Sequence, residues 1–356
     1  MATGHTEGGW EIVLAHAHID AHEAAQIGVN RDVVDERGWT LLYAASFLGR
    51  ATLVGHLIKT GIDVDKSNAA GDTPLLAACR EGYKRVVKRL IRGGADVHAA
   101  NPAGEFPLFA AVIGGDASIV LALLCAGAHL DVNRPVSSAK PLHRACRDGN
   151  ERIMTCLLGR GAGKNEWDMK GDTPLDVAIV AGQAGAVRLL LEAGADVNGT
   201  DSIARTPLDR ACDLGRTAIA RMLLDAGANK EGTDARGWTP LRRASMANEC
   251  AIVKLLFNAG ADPLNGDPLN IAITAGYTEM ALAIAGAISD RLRTRRRELS
   301  DARTCVVCRD KPRSVHLRPC GHVALCGGCW DAIERMDPKC PICRGHVAEH
   351  FTVYIT

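Results

Sequence analysis

Eight side chains able to bind a soft metal crowd into one stretch near the end of the chain. The series runs Cys305, Cys308, Cys320, His322, Cys326, Cys329, Cys340 and Cys343, with two, eleven, one, three, two, ten and two residues between successive members. A cysteine pair separated by two residues can clasp one ion through a tight turn. Thiolates with a single imidazole suit zinc, and four protein ligands per ion leave no position for water. Eight ligands therefore fill two closed tetrahedral sites, which is structural zinc and not hydrolytic zinc. Spacing alone leaves open which ligands share an ion. A segment of this length buries too little apolar area to fold unaided, and each structural zinc contributes an apparent binding energy of about 10–16 kcal/mol.

The rest of the chain must present this segment to something. Of its 356 residues 47% are hydrophobic but only 4% aromatic, a composition suited to small-residue helical packing. The formal net charge of +1 supplies no general attraction to nucleic acid or membrane, so any charge argument is local. The first residues, MATGHTEGGWEIVLAHAHID, have no basic segment followed by an apolar core, and no apolar run of about 18 residues occurs. These features lead us to expect a soluble intracellular protein without membrane contact. Six cysteines outside the metal-binding stretch, Cys79, Cys125, Cys146, Cys156, Cys212 and Cys250, are scattered singly, as in a reducing compartment. They are expected to be small buried hydrophobes.

Upstream, the sequence repeats itself. GDTPLLAACREGYKRVVKRLIRGGADVH from Gly71 and GDTPLDVAIVAGQAGAVRLLLEAGADVN from Gly171 share one pattern, whose copies start at Gly38, Gly71, Gly104, Ser138, Gly171, Ala204 and Gly237. A shortened copy begins near Asn265. Period and skeleton resemble the ankyrin repeat. Within one copy, Thr173 stands at a helix N-cap, Pro174 at the first helical position, Gly182 at the end of the first helix and Gly194 at the end of the second. Only His143 keeps the histidine usual in the motif's fourth position. Leu76, Phe109, Asp176, Asp209, Arg242 and Asn270 replace it, which predicts weaker helix starts. Each unit has one buried face too small to stand alone, so neighbours must complete the core. The resemblance implies protein binding through hairpin tips and the concave helix face. The candidate tip residues are Trp39, Asp72, Glu105, Asp172, Arg205 and Trp238, with Trp167 nearby. The three tryptophans are the candidate substrate contacts.

The expected chain is thus mostly α: a divergent N-terminal cap over 1–37, ankyrin repeats over 38–289, about seven plus a shortened one, an arginine-rich linker or helix over 290–304, the zinc module over 305–344 and a C-terminal β tail over 345–356. The arginines at 291, 293, 295, 296, 297 and 303 read as a solvated connector or as a nuclear-import or phosphate-binding patch.

The histidine stands fourth in the ligand series, which resembles the RING finger and not the plant homeodomain finger, whose histidine comes fifth. CVVC, LRPCGHVALCGGC and CPICRG, with a short tail, resemble the C-terminal RING of inhibitor-of-apoptosis ligases and the last RING of mind bomb. By that resemblance Cys305, Cys308, Cys326 and Cys329 hold one zinc, and Cys320, His322, Cys340 and Cys343 the other. It further implies a RING-type ubiquitin ligase, which forms no covalent intermediate but positions a ubiquitin-charged conjugating enzyme. Val307 and Pro341 would form its apolar docking shelf. Arg344 would act as the linchpin between conjugating enzyme and donor ubiquitin, a task for a planar guanidinium. FTVYIT, Phe351 to Thr356, reads as a strand in need of a partner edge. The resembling tails pair across a RING homodimer, and Tyr354 matches their aromatic residue; packing on its own RING is the alternative.

Two further classes compete with the ligase. One is an ankyrin adaptor whose RING is intact but transfer-incompetent; the intact Val307, Pro341, Arg344 and Tyr354 favour the ligase over it. The other is a nucleic-acid binder, against which near-neutral charge and the lack of interleaved basic and aromatic residues on the RING argue. The expected location is cytoplasmic, with a nuclear one turning on the arginine cluster.

Overall fold

A computed structural model describes residues 34–130, 140–201 and 203–298, together with three strands at 315–318, 322–325 and 349–352. The chain divides into two units, Met1–Pro240 and Leu241–Thr356. The repeat start at Ser138 and most of the segment 1–37 lie outside the described residues.

The first unit is built from helix pairs. They are α1 (Leu41–Phe47) with α2 (Ala51–Lys59), α3 (Pro74–Arg80) with α4 (Lys84–Arg92), α5 (Pro107–Gly114) with α6 (Ala117–Cys125), α7 (Pro141–Asp148) with α8 (Glu151–Leu158), α9 (Pro174–Val180) with α10 (Ala184–Glu192), and α11 (Pro207–Asp213) with α12 (Thr217–Asp225). The first helix of each pair packs on the first helix of the next, and the second on the second. Leu75, Leu76, Leu90, Leu108, Ile119, Leu123, Ile153, Met154 and Leu157 fill the seams and are essentially inaccessible. Each pair shields its neighbour's apolar face, so the core is continuous with few large rings, Tyr43 and Phe106 among them.

Local chemistry sets each helix start. Thr73 accepts the N–H of Leu76, with Pro74 at the first helical position. Two of the replacements of the motif histidine correct the expectation of weak starts, while the helices that carry Phe109 and Asn270 do start without a side-chain cap bond. Asp176 and Asp209 complete capping boxes with Thr173 and Thr206, each carboxylate accepting its threonine's N–H and hydroxyl. The tips between pairs repeat a second device. Asp168 Oδ1 accepts the N–H groups of Lys170 and Asp172, and Asp201 and Asp234 do the same two and four residues ahead. Such turns place the following residue in the left-handed region. Gly171 adopts φ +78° there, whereas Ala204 must adopt φ +59° with a Cβ.

The second unit contains α13 (Pro240–Met246), α14 (Cys250–Asn258), α15 (Pro268–Thr274) and α16 (Thr278–Glu298), and a small sheet. Helix α16 runs through the boundary expected at 289, and Arg291 anchors it by an ion pair to Asp262 at 3.0 Å. The sheet has order β2-β1-β3, from β1 (Val315–Arg318), β2 (His322–Leu325) and β3 (Glu349–Thr352). Both pairings are antiparallel. Leu317 lies opposite His322, and Val315 opposite Thr352.

Candidate functional site

The predicted hairpin-tip residues divide by what their own chain does with them. Asp72 is buried, and its carboxylate accepts bonds from Arg80 at 2.9 Å and from the Asn101 amide of the next hairpin at 2.7 Å. Arg80 also pairs with Glu105. Asp172 accepts from Arg210 Nη2 at 2.6 Å, and the same guanidinium meets Asp201 at 3.0 Å and Asp176 at 3.3 Å. Arg205 is bonded to Asp201 at 2.9 Å. Asp72, Glu105 and Asp172 therefore join repeat to repeat, whereas Arg205 closes its own hairpin. Burial pushes the Asp176 carboxyl above its ordinary range despite Arg210. Burial also works on Asp201, but there the N–H groups of Arg205 and Ile203 and the Arg205 guanidinium outweigh it and hold the carboxyl low. Arg210 loses solvation yet is held in its charged form by Asp176, Asp172 and Asp201. The sequence reading missed Arg80, Asn101, Asp201 and Arg210. For Asn101 and Asp201 a signal existed in the aspartate or asparagine that stands three residues before six of the seven repeat-starting positions, Ser138 being the exception.

The tryptophans also differ. The Trp39 ring packs on Tyr43 and Phe47 at centroid distances of 4.9 and 5.2 Å, with the Arg37 guanidinium 5.5 Å above it. Trp238 is half-buried beneath Arg236 at 5.4 Å. Trp167 is 60% exposed, and beside it Met169 is 68% exposed, which leaves this tip as the apolar contact surface of the three. Trp39 and Trp167 are four repeats apart, about 35 Å at the spacing of packed helices, so they form no single patch.

Cys79, Cys146 and Cys212 are buried as expected, and burial pushes the thiols of Cys79 and Cys146 up and out of reach of ordinary titration. The expectation fails at Cys125, which is exposed with the Arg160 guanidinium 3.0 Å from its sulfur, while Cys156 and Cys250 are half-buried. The outer end of a second helix faces solvent, which the small-residue pattern does not distinguish from the seam. His143 is fully buried, and its Nε2 lies 3.0 Å from the Asp172 carbonyl oxygen of the next hairpin; burial lowers its pKa. It is a structural link between repeats.

At the metal-binding end, His322 opens β2 directly after the connection from β1, and the strand ends at Leu325, one residue before Cys326. Three steps of extended backbone carry Leu325 about 10 Å from His322. Seven thiolates and one imidazole, with no carboxylate required, fit zinc. Cys305, Cys308, Cys320, Cys326, Cys329, Cys340 and Cys343 lie outside the described residues, as do Val307, Pro341, Arg344 and Tyr354. The strand expected over Phe351 to Thr356 is described at Phe351 and Thr352, begins at Glu349, and pairs with β1 of the same chain. Residues 353–356 lie outside the described part.

The helix pairs and the ligand series define the class: a helical repeat array joined to a cysteine-rich zinc module. Comparison with known proteins gives the families. The pattern described as "Ankyrin repeats (3 copies)" matches in overlapping stretches, 11–101, 41–135, 108–201, 142–234 and 200–267, and "Zinc finger, C3HC4 type (RING finger)" matches 301–350. The chain belongs to the ankyrin-repeat proteins and carries a RING finger. It is 38% identical over 77 residues to a Drosophila melanogaster protein named Mitochondrial E3 ubiquitin protein ligase 1, covering 19% of this chain and 22% of that one. It is 47% identical over 51 residues to Baculoviral IAP repeat-containing protein 3 of Canis lupus familiaris, covering 14% and 8%. An Arabidopsis thaliana protein named Putative E3 ubiquitin-protein ligase XBAT35 is 31% identical over 77 residues, 22% of this chain and 17% of that one. The chain thus spans less than a quarter of each of these relatives. Among solved structures, the human ASB11 ankyrin repeat domain superposes with TM-score 0.56 at 29% identity, over 63% of this chain and all of that one. The Bcl-3 ankyrin repeat domain gives 0.53 at 28% identity, over 58% and 94%.

Proposed function

We propose that the chain is a RING-type ubiquitin-protein ligase in which the ankyrin array recruits a protein substrate and the RING positions a ubiquitin-charged conjugating enzyme. The observation that carries this reading is the complete eight-ligand series inside the RING match over 301–350. Its spacing agrees with Val307, Pro341 and Arg344 standing where the resembling ligases dock and activate the conjugating enzyme.

Zinc supplies structure here: two closed ions replace the core that the segment cannot build. Cys305, Cys308, Cys326 and Cys329 hold one, and Cys320, His322, Cys340 and Cys343 the other. Val307 and Pro341 seat the conjugating enzyme on an apolar shelf between the two metal loops. The Arg344 guanidinium donates to both the conjugating enzyme and the donor ubiquitin, holding the thioester still. A substrate lysine attacks the thioester carbonyl, the amide bond forms, and the thiolate of the conjugating enzyme leaves. No general base from this chain is needed. Trp167 and Met169, exposed on one hairpin, offer the array an apolar anchor for substrate. The tail brings Tyr354 to the donor ubiquitin across a RING homodimer. The protein acts in the cytoplasm.

The test is self-ubiquitination by the zinc-loaded protein with a panel of conjugating enzymes. Chains should form, and Val307→Ala and Arg344→Ala should each remove them. Absence of chains with every conjugating enzyme, from protein shown to hold two zinc ions, would replace the ligase with the adaptor.

A further inference from the structure

We infer that the outer face of α4 is a docking site for a short acidic protein segment. The sequence of α4, KRVVKRLIR, places five cations in nine residues with no acid. Val86, Val87 and Leu90 are buried against the array, so Lys84, Arg85, Lys88, Arg89 and Arg92 are all left exposed on the remaining face. Three pairs, Lys84 with Lys88, Arg85 with Arg89 and Lys88 with Arg92, stand four residues apart. At that spacing like charges destabilise a helix. Lys84 and Arg85 also oppose the positive end of the helix dipole. None of Lys84, Arg85, Lys88 and Arg92 has a carboxylate partner among the described residues. Some other cations of the array do have one, among them Arg80, Arg144, Arg205 and Arg210, while Arg152 and Arg221 stand singly on their helices without one among the described residues.

The patch extends onto α2. The Arg89 guanidinium reaches across to the Thr52 carbonyl at 3.5 Å and lies over Gly55, where a Cβ would sit 2.2 Å from Nη1. Lys59 is exposed on the same helix. Helices α2, α4 and α6 contain no aspartate or glutamate, whereas α8, α10 and α12 carry Glu151, Glu192 and Asp225. With a chain net charge of +1, this concentration of charge is a local feature.

Shape and rim select among anionic partners. Glu81 stands just before α4 and Asp96 just after it, both exposed, and the Asp65 carboxylate accepts the Asp96 N–H at 3.0 Å. Along the axis of α4, positive charge is thus bounded to about 13 Å, the length of the helix. A long polyanion would run into the acidic rim. Packed helices stand 8–10 Å apart, so α2 and α6 flank α4 too closely for it to enter a groove about 12 Å wide in duplex DNA. An extended peptide fits: its alternate side chains are about 6.6–6.8 Å apart, close to the 5–6 Å between helix residues four apart. Acids at every second position would meet Lys84, Lys88 and Arg92 in turn. As a means of substrate selection the site rests on the ligase reading above; as a binding site it does not.

The test uses the full zinc-loaded chain and a fluorescein-labelled peptide of about ten residues alternating Glu and Ser, with a Gln–Ser control, read by anisotropy at low and physiological salt. The acidic peptide should bind, weaken with salt, and lose about tenfold or more in affinity to Lys88→Glu/Arg92→Glu. Lys84→Gln/Arg85→Gln should give a smaller loss. Arg188→Glu/Arg221→Glu, the same charge change on α10 and α12, should bind as wild type. Thermal melts establish that the variants fold. Equal losses in both charge-reversal variants, no binding by wild type, or tighter binding of duplex DNA or phosphatidylserine vesicles than of the peptide would each overturn the proposal. The readout involves no ubiquitin transfer, so failure of the ligase reading and failure of this one are separate results.

Discussion

Arg210 Nη2 lies 2.6 Å from Asp172 Oδ1, so a side chain on the first helix of one repeat is bonded to the hairpin of the repeat before it. Asp176 and Asp201 complete a cage of three carboxylates around one guanidinium. Removing the cation leaves the buried carboxyls of Asp176 and Asp201 without it, while Asp172 keeps some access to water. Arg210→Ala should cost about 3–5 kcal/mol, the range for breaking a buried pair by deleting one partner. Urea denaturation should show this as a lower midpoint. A loss under about 1 kcal/mol would mean that the acids rehydrate and that the cage is a surface feature.

The same cage sets an acid dependence. Asp201 is held below its unfolded pKa, so its contribution is present above that value and is lost as pH falls through the folded one. Asp176 is raised, so its contribution runs the other way and is lost as pH rises through its folded value. Stability measured across the carboxylate range should therefore fall less steeply with acid in Asp201→Asn than in wild type, and more steeply in Asp176→Asn. Parallel curves for all three proteins would remove the assigned shifts.

How much of this was readable beforehand depends on what each residue's role depends on. Thr173, Pro174 and Gly182 act through neighbours a few positions away, so their places in helix starts and ends were legible. The array followed from the period alone. The bonds of Asp72 to Asn101 and of Asp172 to Arg210 were not legible, because each joins two repeats; Asn101 recurs with the period, but its partner does not follow from that. Trp39 and Trp167 were both tip candidates, yet Trp39 packs on Tyr43 and Phe47 of the helix that follows it while Trp167 stands 60% exposed. Asp176 was read as the loss of a motif histidine. It is a capping box, a gain visible only when the threonine three residues earlier is considered with it.

Ala204 offers a test of backbone strain. It adopts φ +59° at a hairpin position where Gly171 and Gly237 stand in the neighbouring repeats. The left-handed region costs a residue with a Cβ about 1–2 kcal/mol, and the greater freedom of glycine in the unfolded chain returns part of that. Ala204→Gly should stabilise the protein by about 0.5–1 kcal/mol, read as a raised urea midpoint without change in slope. A destabilised variant would show that the alanine methyl packs well enough to offset its backbone.

Metal removal separates the two kinds of core. Helix pairs α1 to α12 are held by apolar seams such as Leu75, Leu90 and Ile119, none of which depends on an ion. The RING depends on zinc for the energy that its small size denies it. Chelation should release two zinc ions per chain and abolish ubiquitin transfer while leaving the helical circular dichroism nearly unchanged. Release of one ion, or collapse of the helical signal together with the metal, would contradict this division.

The tail makes the sharpest distinction between structural and functional roles. Glu349 to Thr352 pair with Arg318 to Val315, so β3 covers one edge of β1 while β2 covers the other. Deleting 349–356 exposes that edge and should weaken zinc retention as well as transfer. Deleting 353–356 leaves the described pairing whole, so zinc content should stay at two ions. Transfer should still drop about tenfold or more if Tyr354 steadies the donor ubiquitin, and Tyr354→Ala should reproduce the loss. Sedimentation of the two truncations adds the oligomeric state. If the shorter deletion stays fully active and wild type sediments as a monomer, the tail serves its own RING through β3, and the homodimer is excluded.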